Sequence, residues 1–406
     1  MNVQQLDIDD SNQELCDLIF QRIAASPQQR ITFAEYMDLA LYHPQHGYYA
    51  TNEVKIGKHG DFFTSPHLGA DFGEVLAEQF VQMWEIIGKP DVFTIVEMGA
   101  GQGILAADIL AYLQRQYPKF FQVLEYLIVE KSAALKTEQE QHLADLKVVK
   151  WCNWDEISGN SVTGCLFSNE LVDALPVHQF VIDKGQIKEI YVAAETDQQA
   201  EGNISRKFVE VSGEVSTSKI AEYFDLVGID LSASAYTNGY RSEVNLAAIS
   251  WITTVAEKLQ RGYLLTIDYG YPAHRYYHPN RREGTLQCYY RHQHHNHPYL
   301  YVGRQDLTAH VDFTALEKQG KLCGLRLVGL TQQGLFLMAL GLGDRIAALS
   351  TNYTEVLDLA AFLRRREALH QLIDPMGLGG FGVLVQCKGL SENERESKLK
   401  GLIVPN

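Results

Sequence analysis

Apolar residues in the first forty positions recur every three or four residues, which predicts two amphipathic helices. Thr32 is followed three residues later by Glu35, a capping-box pattern that places the start of the second helix. A third helix is predicted from about Gly69 to Ile87, after a loop at 43–66 that is rich in glycine and aromatic residues. We therefore expect an N-terminal helical region, residues 1–90, that carries this loop.

From residue 92 the pattern changes to short apolar runs that alternate with helical segments. Alternation of this kind predicts an α/β fold with a parallel sheet buried on both faces. The predicted strands are Phe93–Met98, Leu124–Glu130, Lys147–Trp151, Gly164–Ser168 and Tyr263–Asp268, with Leu325–Leu330 and Phe381–Cys387 as candidates to complete the sheet. We assign residues 91–406 to this core, with insertions at about 176–240, 271–312 and 342–374.

The end of the first predicted strand carries the most specific motif. Glu97 is followed by Gly99, Gly101 and Gly103, and then by a helix-prone segment. A strand, a tight glycine turn and a helix start let the backbone approach a nucleotide closely. A dinucleotide fingerprint would need glycine at Ile104 instead. The E-x-G-x-G-x-G form resembles the first motif of class I S-adenosylmethionine-dependent methyltransferases.

The next two strands also end in residues suited to a nucleotide ligand. In an open α/β sheet the ligand binds beyond the carboxyl ends of the strands. Glu130 ends the second strand, where an acidic residue commonly accepts hydrogen bonds from ribose hydroxyls; a carboxylate at a helix N-terminus is the alternative. Trp154, after the third strand, is a candidate to flank adenine or a core residue at a strand end.

Three polar residues leave the fourth predicted strand together. Asn169, Glu170 and Asp173 follow an apolar run and precede Pro176. A helix cap would explain one of them but not all three. We therefore predict that they act on the reacting groups. The fifth strand adds another carboxylate, Asp268, at the same edge of the sheet.

Composition restricts the partners. The chain of 406 residues has a formal net charge of −15, which disfavours a nucleic acid as the main substrate and fits a basic protein better. No bilayer-spanning run, signal or transit segment is evident, and none of the six cysteines form a C-x-x-C pair, so we predict a cytoplasmic protein without membrane insertion. The His-dense segment 291–297 lacks a recognisable ligand pattern, and we predict no metal.

With these segments in view, the chain resembles the MidA-type methyltransferases, a family that includes a mitochondrial complex I assembly factor acting as a protein arginine methyltransferase. The matching segments are Tyr36–Tyr49, Gly60–Pro66 with Phe72–Glu74, Glu97–Gly103, Ser168–Pro176, Ile267–Gly270, Gly284–Leu286 and Gln305–Phe313. The resemblance implies a seven-stranded Rossmann-like class I core, a helical N-terminal region, an inserted α+β cap and ω-nitrogen methylation of an arginine in a complex I-type subunit. The departures are the His-rich loop and the glycine-rich segment Pro375–Phe381.

The predicted cofactor is S-adenosyl-L-methionine, and a lid at Gly60–Pro66 is expected to exclude water from it. The candidate cofactor-binding residues are Glu97, Gly99, Ala100, Gly101, Gly103, Glu130, Trp154, Asp61, Thr64, Ser65 and Pro66. Glu170 and Asp173 are expected to orient a guanidinium and to help remove its proton, with Asn169 positioning the cofactor or the nitrogen. A noncatalytic assembly factor, a small-molecule methyltransferase, an NAD-dependent oxidoreductase and a homodimer stay open.

Overall fold

The computed structural model describes residues 10–50, 64–198, 204–291, 293–351 and 359–403. The helices are α1 Gln13–Ala25, α2 Phe33–Tyr42, α3 Asp71–Ile86, α4 Ile104–Gln116, α5 Pro118–Phe121, α6 Ala133–His142, α7 Lys219–Val227, α8 Leu246–Lys258, α9 Ala273–Tyr276, α10 Phe313–Leu322, α11 Gln333–Leu337, α12 Gly343–Thr351, α13 Leu359–Ile373 and α14 Glu392–Glu396. The strands are β1 Arg30–Thr32, β2 Phe93–Met98, β3 Leu124–Val129, β4 Val149–Cys152, β5 Val162–Asn169, β6 His178–Asp183, β7 Gln186–Gln198, β8 Ile204–Gly213, β9 Arg241–Val244, β10 Leu259–Asp268, β11 Gly270–Tyr271, β12 Gln287–Tyr290, β13 Gln293–His295, β14 Asp306–Thr308, β15 Val311–Asp312, β16 Arg326–Gln332 and β17 Gly382–Lys388.

The largest sheet within these ranges has seven strands in the order β16-β17-β10-β5-β2-β3-β4. All the predicted strands are in it, which confirms the class I methyltransferase fold. The expectation of a wholly parallel sheet is wrong for one strand, because β17 runs antiparallel to both neighbours. Its first residue, Gly382, pairs with Asp268, the last residue of β10. β17 therefore begins at the edge of the sheet where the parallel strands end, and it runs in the opposite direction to them.

The strand order places a ligand site next to β2. The chain passes from β2 outward through β3 and β4, then returns to the other side of β2 with β5 and β10. The chain segments that follow β2 and β5 therefore run to opposite sides of the sheet. The carboxyl ends of these two strands form a topological switch point, where open α/β sheets bind their ligands. All six residues of β2 are buried, because α3 and α4 cover one face of the sheet and α8 and α10 cover the other.

The first two helices pack on the inserted cap rather than on the large sheet. Ile31 of β1 pairs with Val192 of β7, which joins the N-terminal region to the sheet of the 176–240 insertion. The predicted cap of α2 is present, since Thr32 Oγ1 accepts a hydrogen bond from the Glu35 amide at 3.1 Å. Helix α3, by contrast, belongs to the core of the large sheet. Residues 1–90 thus contribute to two separate hydrophobic cores.

The other insertions border the carboxyl edge of the sheet from different sides. Strands β12–β14 form a small antiparallel sheet within 271–312. Helices α12 and α13 lie within 342–374 and are joined to α3 by ion pairs, in which Arg345 and Arg365 both contact the Asp71 carboxylate at 2.8 Å. No helix of the described residues is long and apolar enough to cross a membrane.

Candidate active site

The glycine turn between β2 and α4 has a backbone that only glycine adopts readily. Gly99, Gly101 and Gly103 have φ angles of 70°, 52° and 79°, in the left-handed region. A Cβ atom on Gly99 would lie 2.7 Å from Leu171 Cδ1, whereas a Cβ atom on Gly101 would meet nothing within 4 Å. Gly99 therefore satisfies both a conformational and a packing requirement, and Gly101 leaves open space above the turn.

That open space is a narrow cavity at the ends of β2, β3 and β5. Its walls include many of the predicted residues, namely Thr64, Pro66, Glu97, Gly99, Ala100, Gly101, Glu130, Asn169 and Glu170. The walls also include Tyr42, Tyr49, His67 and Gln102, which the sequence analysis did not single out for this role. The topology thus brings the glycine turn, the second-strand carboxylate and the fourth-strand polar residues to one cavity.

Three of the predicted cofactor-binding residues do not line this cavity. Gly103 is the N-cap of α4 behind the turn. The buried Ser65 hydroxyl accepts a hydrogen bond from Gln333 Nε2 at 3.1 Å, and the Ser65 amide donates to Glu170 Oε1 at 3.4 Å, so this residue lies beside the cavity wall. Trp154 packs against the hydrophobic cluster on the face of the sheet covered by α8 and does not line the cavity. Asp61 lies outside the described residues, as does most of the proposed lid.

Glu130 is oriented by a neighbour that sequence reasoning missed. Its carboxylate accepts hydrogen bonds from the Ser132 amide at 2.8 Å and from Gln139 Nε2 at 3.0 Å. Gln139 also donates to the Gly101 carbonyl at 2.8 Å and accepts from Trp151 Nε1 at 2.9 Å. This fully buried amide ties the glycine turn to Glu130. Its only sequence signal is a glutamine on the apolar side of α6, four residues after Leu135.

Burial shifts the pKa of Glu97, near the end of β2, and of Glu130, directly after β3. Burial raises the pKa of Glu97 to about 7, and the hydrogen bond from the Tyr126 hydroxyl at 2.7 Å partly opposes that rise. Burial also raises the pKa of Glu130, against the hydrogen bonds from Ser132 and Gln139. Both carboxyl groups are held in place by donors, so they present defined acceptor positions beside the glycine turn.

Three carboxyl groups meet where β5 and β10 end. Asp268 is fully buried and accepts hydrogen bonds from the amides of Val172, Asp173 and Tyr269 at 2.9, 3.3 and 2.9 Å. It thereby holds the turn that follows β5. Glu170 within that turn has a left-handed φ of 52°, and its own amide donates to the Ile267 carbonyl at 2.9 Å. A strained non-glycine residue at this position is typical of a functional site.

The three groups are kept partly neutral by their surroundings. Burial, and then the nearby Asp173 carboxylate, raise the pKa of Glu170 to about 8. Burial raises the pKa of Asp173 to about 6, and burial with both neighbours raises that of Asp268 well above its usual range. The Asp173 Oδ1 and Asn169 Oδ1 atoms are buried without a hydrogen-bond partner among the described residues. The cluster would therefore be stabilised by a cation or a hydrogen-bond donor.

Glu170 also reaches a second and larger cavity of about 1110 Å³, under the cap. Asp173 and Asp306 contribute further acidic groups to its wall, and Arg275 lies in the same wall with its guanidinium 5.1 Å from the Tyr271 ring. The remaining polar and aromatic lining includes Tyr49, Tyr269, Tyr271, Tyr289, Gln293, His294, Thr308 and His310. Glu170 and Tyr49 line both cavities, so the two spaces meet at the carboxylate cluster.

Comparison with known proteins agrees with this geometry. A family model described as "Putative S-adenosyl-L-methionine-dependent methyltransferase" matches residues 75–331, which include the glycine turn, Glu130 and the whole carboxylate cluster. The chain belongs to the MidA-type methyltransferase family.

Relatives of this MidA-type methyltransferase span most of its length. It is 28% identical to mouse "Protein arginine methyltransferase NDUFAF7, mitochondrial", covering 89% of this chain and 79% of the relative, and 28% identical to the zebrafish protein of that name, covering 94% and 89%. It is 30% identical in sequence to a Burkholderia thailandensis protein whose crystal structure contains bound S-adenosyl-homocysteine. The two structures have a TM-score of 0.81, and the match covers 99% of this chain and 97% of that one. The predicted cytoplasmic location is wrong, because the curated relatives are named as mitochondrial proteins.

The cofactor of this family, S-adenosyl-L-methionine, suits the residues of the narrow cavity. Gly101 leaves space for close approach to the backbone, Glu130 presents oriented carboxylate oxygens, and the buried Asn169 Oδ1 lacks a partner among the described residues. We expect Glu97, Gly99, Gly101 and Glu130 to hold the cofactor, which when bound supplies an electrophilic methyl group. Glu170 and Asp173, at the junction of the two cavities, also line the larger cavity.

Proposed function

We propose that this methyltransferase modifies a nitrogen of an arginine side chain in a protein substrate, and that the substrate is a complex I-type subunit. The observation that carries the proposal is the pairing of Glu170 and Asp173 at the junction of the two cavities. The names of the mouse and zebrafish relatives support the choice of arginine. The net charge of −15 also favours a basic partner.

An arginine guanidinium matches the carboxylate cluster in charge and in hydrogen-bonding capacity. It carries five N–H donors and stays protonated, with a pKa of about 12.5 to 13.8. Its positive charge would lower the pKa of Glu170 and Asp173, so both would ionise when the side chain binds. The two carboxylates would then accept its N–H groups and hold one nitrogen in line for methyl transfer.

The proton balance assigns separate work to the two acids. The nitrogen that gains a methyl group must lose a proton, since the product guanidinium carries the same charge as the substrate. Glu170 would take this proton, since it lines both cavities and its pKa of about 8 in the free protein is higher than the value of about 6 for Asp173. Asp173 would keep the positive charge on the far side of the guanidinium. Asn169 donates to Glu170 Oε1 at 3.1 Å and would hold that carboxylate.

The proposal is tested by methyl transfer from tritiated S-adenosyl-L-methionine, with methylated arginine identified by amino-acid analysis. We expect Glu170→Gln to lower kcat at least about 100-fold, the range for loss of a general base, and Asp173→Asn to lower kcat because the guanidinium is no longer oriented. Affinity for S-adenosyl-homocysteine, measured by calorimetry, should change little. Asp155→Asn, an exposed acid after β4, is the matched control.

Three results would contradict the proposal. Full transfer by both variants with unchanged cofactor affinity would remove the catalytic assignment. Tritium found in lysine or in a small molecule would show that the substrate is not a protein arginine. Cofactor binding without transfer to any protein would favour a noncatalytic assembly factor.

A further inference from the structure

The larger cavity has an apolar rim that the methylation chemistry does not use. Leu330 at the end of β16, Leu335 in α11 and Met376 in the loop before β17 all line this cavity. Their side chains are nevertheless 42%, 44% and 93% exposed. Exposed apolar side chains clustered around a cavity commonly mark a binding surface, whereas scattered ones need no explanation. We call these three residues the apolar rim.

Met376 is held in its exposed position by a tightly built loop. Its amide donates to Asp374 Oδ1 at 3.0 Å, which forms a turn. A Cβ atom on Gly379 would lie 2.3 Å from the Ile373 carbonyl carbon, and one on Gly380 would lie 2.5 Å from the Pro375 oxygen. The glycines of this segment thus let the loop fold closely against the end of α13. That packing fixes the base of the loop and leaves the Met376 side chain facing solvent.

The interior behind the rim has the opposite chemistry. Glu170, Asp173 and Asp306 are carboxyl groups in its wall, and aromatic rings such as Tyr269 and Tyr289 line the same cavity. Acidic and aromatic groups together favour a cation with an extended planar surface. The apolar rim favours an aliphatic or aromatic side chain, because its three side chains offer no partner to a charged group. One ligand that meets both conditions carries a guanidinium and, a short distance along its chain, an apolar side chain.

We propose that the apolar rim docks an apolar side chain of the substrate protein, from a residue close in sequence to the methylated arginine. This rests on the proposed function, since the arginine occupies the interior. The cavity of about 1110 Å³ exceeds the roughly 300–1,000 Å³ that holds a drug-sized ligand, and so leaves room for chain on either side of the arginine. Methionine adapts its shape to different apolar partners, which suits a rim that selects for apolarity rather than for one residue type.

The test uses nine-residue peptides with a central arginine. One series carries a single leucine at each position from four residues before to four after the arginine, with the other positions serine or glycine; a leucine-free peptide is the reference. Transfer of tritiated methyl groups and the anisotropy of fluorescent copies of the peptides are measured separately. Met376→Gln and Leu330→Gln probe the rim. Leu327→Gln is the matched control, because Leu327 is 48% exposed on the same strand but does not line the cavity.

We expect leucine at one or two positions to raise kcat/KM about ten-fold over the reference, through KM, as burial of a leucine side chain would. The rim variants should remove that preference, leave kcat and the leucine-free peptide unchanged, and fold normally; the control should keep the preference. A wild-type protein without a leucine preference, or rim variants that weaken all peptides equally, would overturn the proposal.

The two measurements separate this inference from the proposed function. Leucine-dependent binding that the rim variants abolish, without any methyl transfer, would support the rim and refute the proposed function. Methyl transfer to arginine without a leucine preference would support the proposed function and refute the role of the apolar rim. A change in sedimentation of the rim variants, with unchanged peptide kinetics, would show that the rim contacts a second copy of the chain, and the inference would fail.

Discussion

Gln139 is the residue whose replacement best tests how the cofactor site is held together. In Gln139→Leu the shape of the side chain is largely kept and three hydrogen bonds are lost. The Gly101 carbonyl, the Glu130 carboxylate and the Trp151 N–H would each lose a partner. A buried polar group left unpaired costs about 1–3 kcal/mol. The lower value applies here, because Gly101, Glu130 and Trp151 are only partly buried and can recruit water.

We therefore expect Gln139→Leu to lower the free energy of unfolding by about 3 kcal/mol. The hydrogen bond from Gln139 also contributes to orienting the Glu130 carboxyl group, and losing a bond of this kind corresponds to a roughly ten-fold weaker affinity for S-adenosyl-homocysteine. Urea denaturation and isothermal calorimetry measure the two effects. Gln141→Leu, an exposed position on the same helix, should change neither.

The two measurements also separate the possible roles of the residue. A loss of stability with unchanged cofactor affinity would show that Gln139 only packs α6 against the sheet. Unchanged stability would refute the hydrogen-bond argument itself. The affinity should be measured below the unfolding transition of the variant, so that unfolded protein does not imitate weaker binding.

Three further predictions concern the same edge of the sheet. In the folded protein the pKa of Glu97 is about 7, above its usual value near 4.5, so the protonated carboxyl group contributes stability that is present below pH 4.5 and is lost as the pH rises through 7. Glu97→Gln should therefore reduce the fall in the free energy of unfolding between about pH 5 and pH 8. An unchanged slope of this free energy against pH would contradict the prediction. Gly99→Ala should lower the thermal midpoint more than Gly101→Ala, which carries only the roughly 1–2 kcal/mol cost of a left-handed backbone, and equal effects would refute the packing argument. Under the proposed function, kcat/KM should rise as Asp173 and then Glu170 ionise, with pKa values of about 6 and 8 in the free protein; a flat profile from pH 6 to 9 would contradict the assigned base.

Local patterns in the sequence predicted most of the elements correctly. The bounds of β2 match the prediction residue for residue, and the predicted cap at Thr32 is present. These features depend on neighbours a few positions away, through side-chain periodicity and local hydrogen bonds. The same reasoning brought Glu97, Glu130, Asn169 and Glu170 to one cavity, because parallel strands end at a common edge.

Features that depend on partners far along the chain were not predicted in this way. The direction of β17 follows from where Gly382 meets Asp268, and strand periodicity is the same for either direction. Gln139 matters because the fold brings it to Gly101, 38 positions away. Trp154 does not line the cavity, because the short helical turn after β4 packs its side chain against the face of the sheet that α8 covers.

The motif Glu97–Gly103 by itself predicted a nucleotide-type cofactor and favoured S-adenosyl-L-methionine, since a left-handed glycine turn after a buried strand is a local property that the residue types impose. The acceptor side is different in kind. The raised pKa values of Glu170 and Asp173, their junction with the large cavity and the apolar rim around Met376 arise from burial among segments that are remote in sequence. Desolvation and surface shape depend on the whole packed chain, so they exist only once the sheet, the cap and the C-terminal insertion have come together.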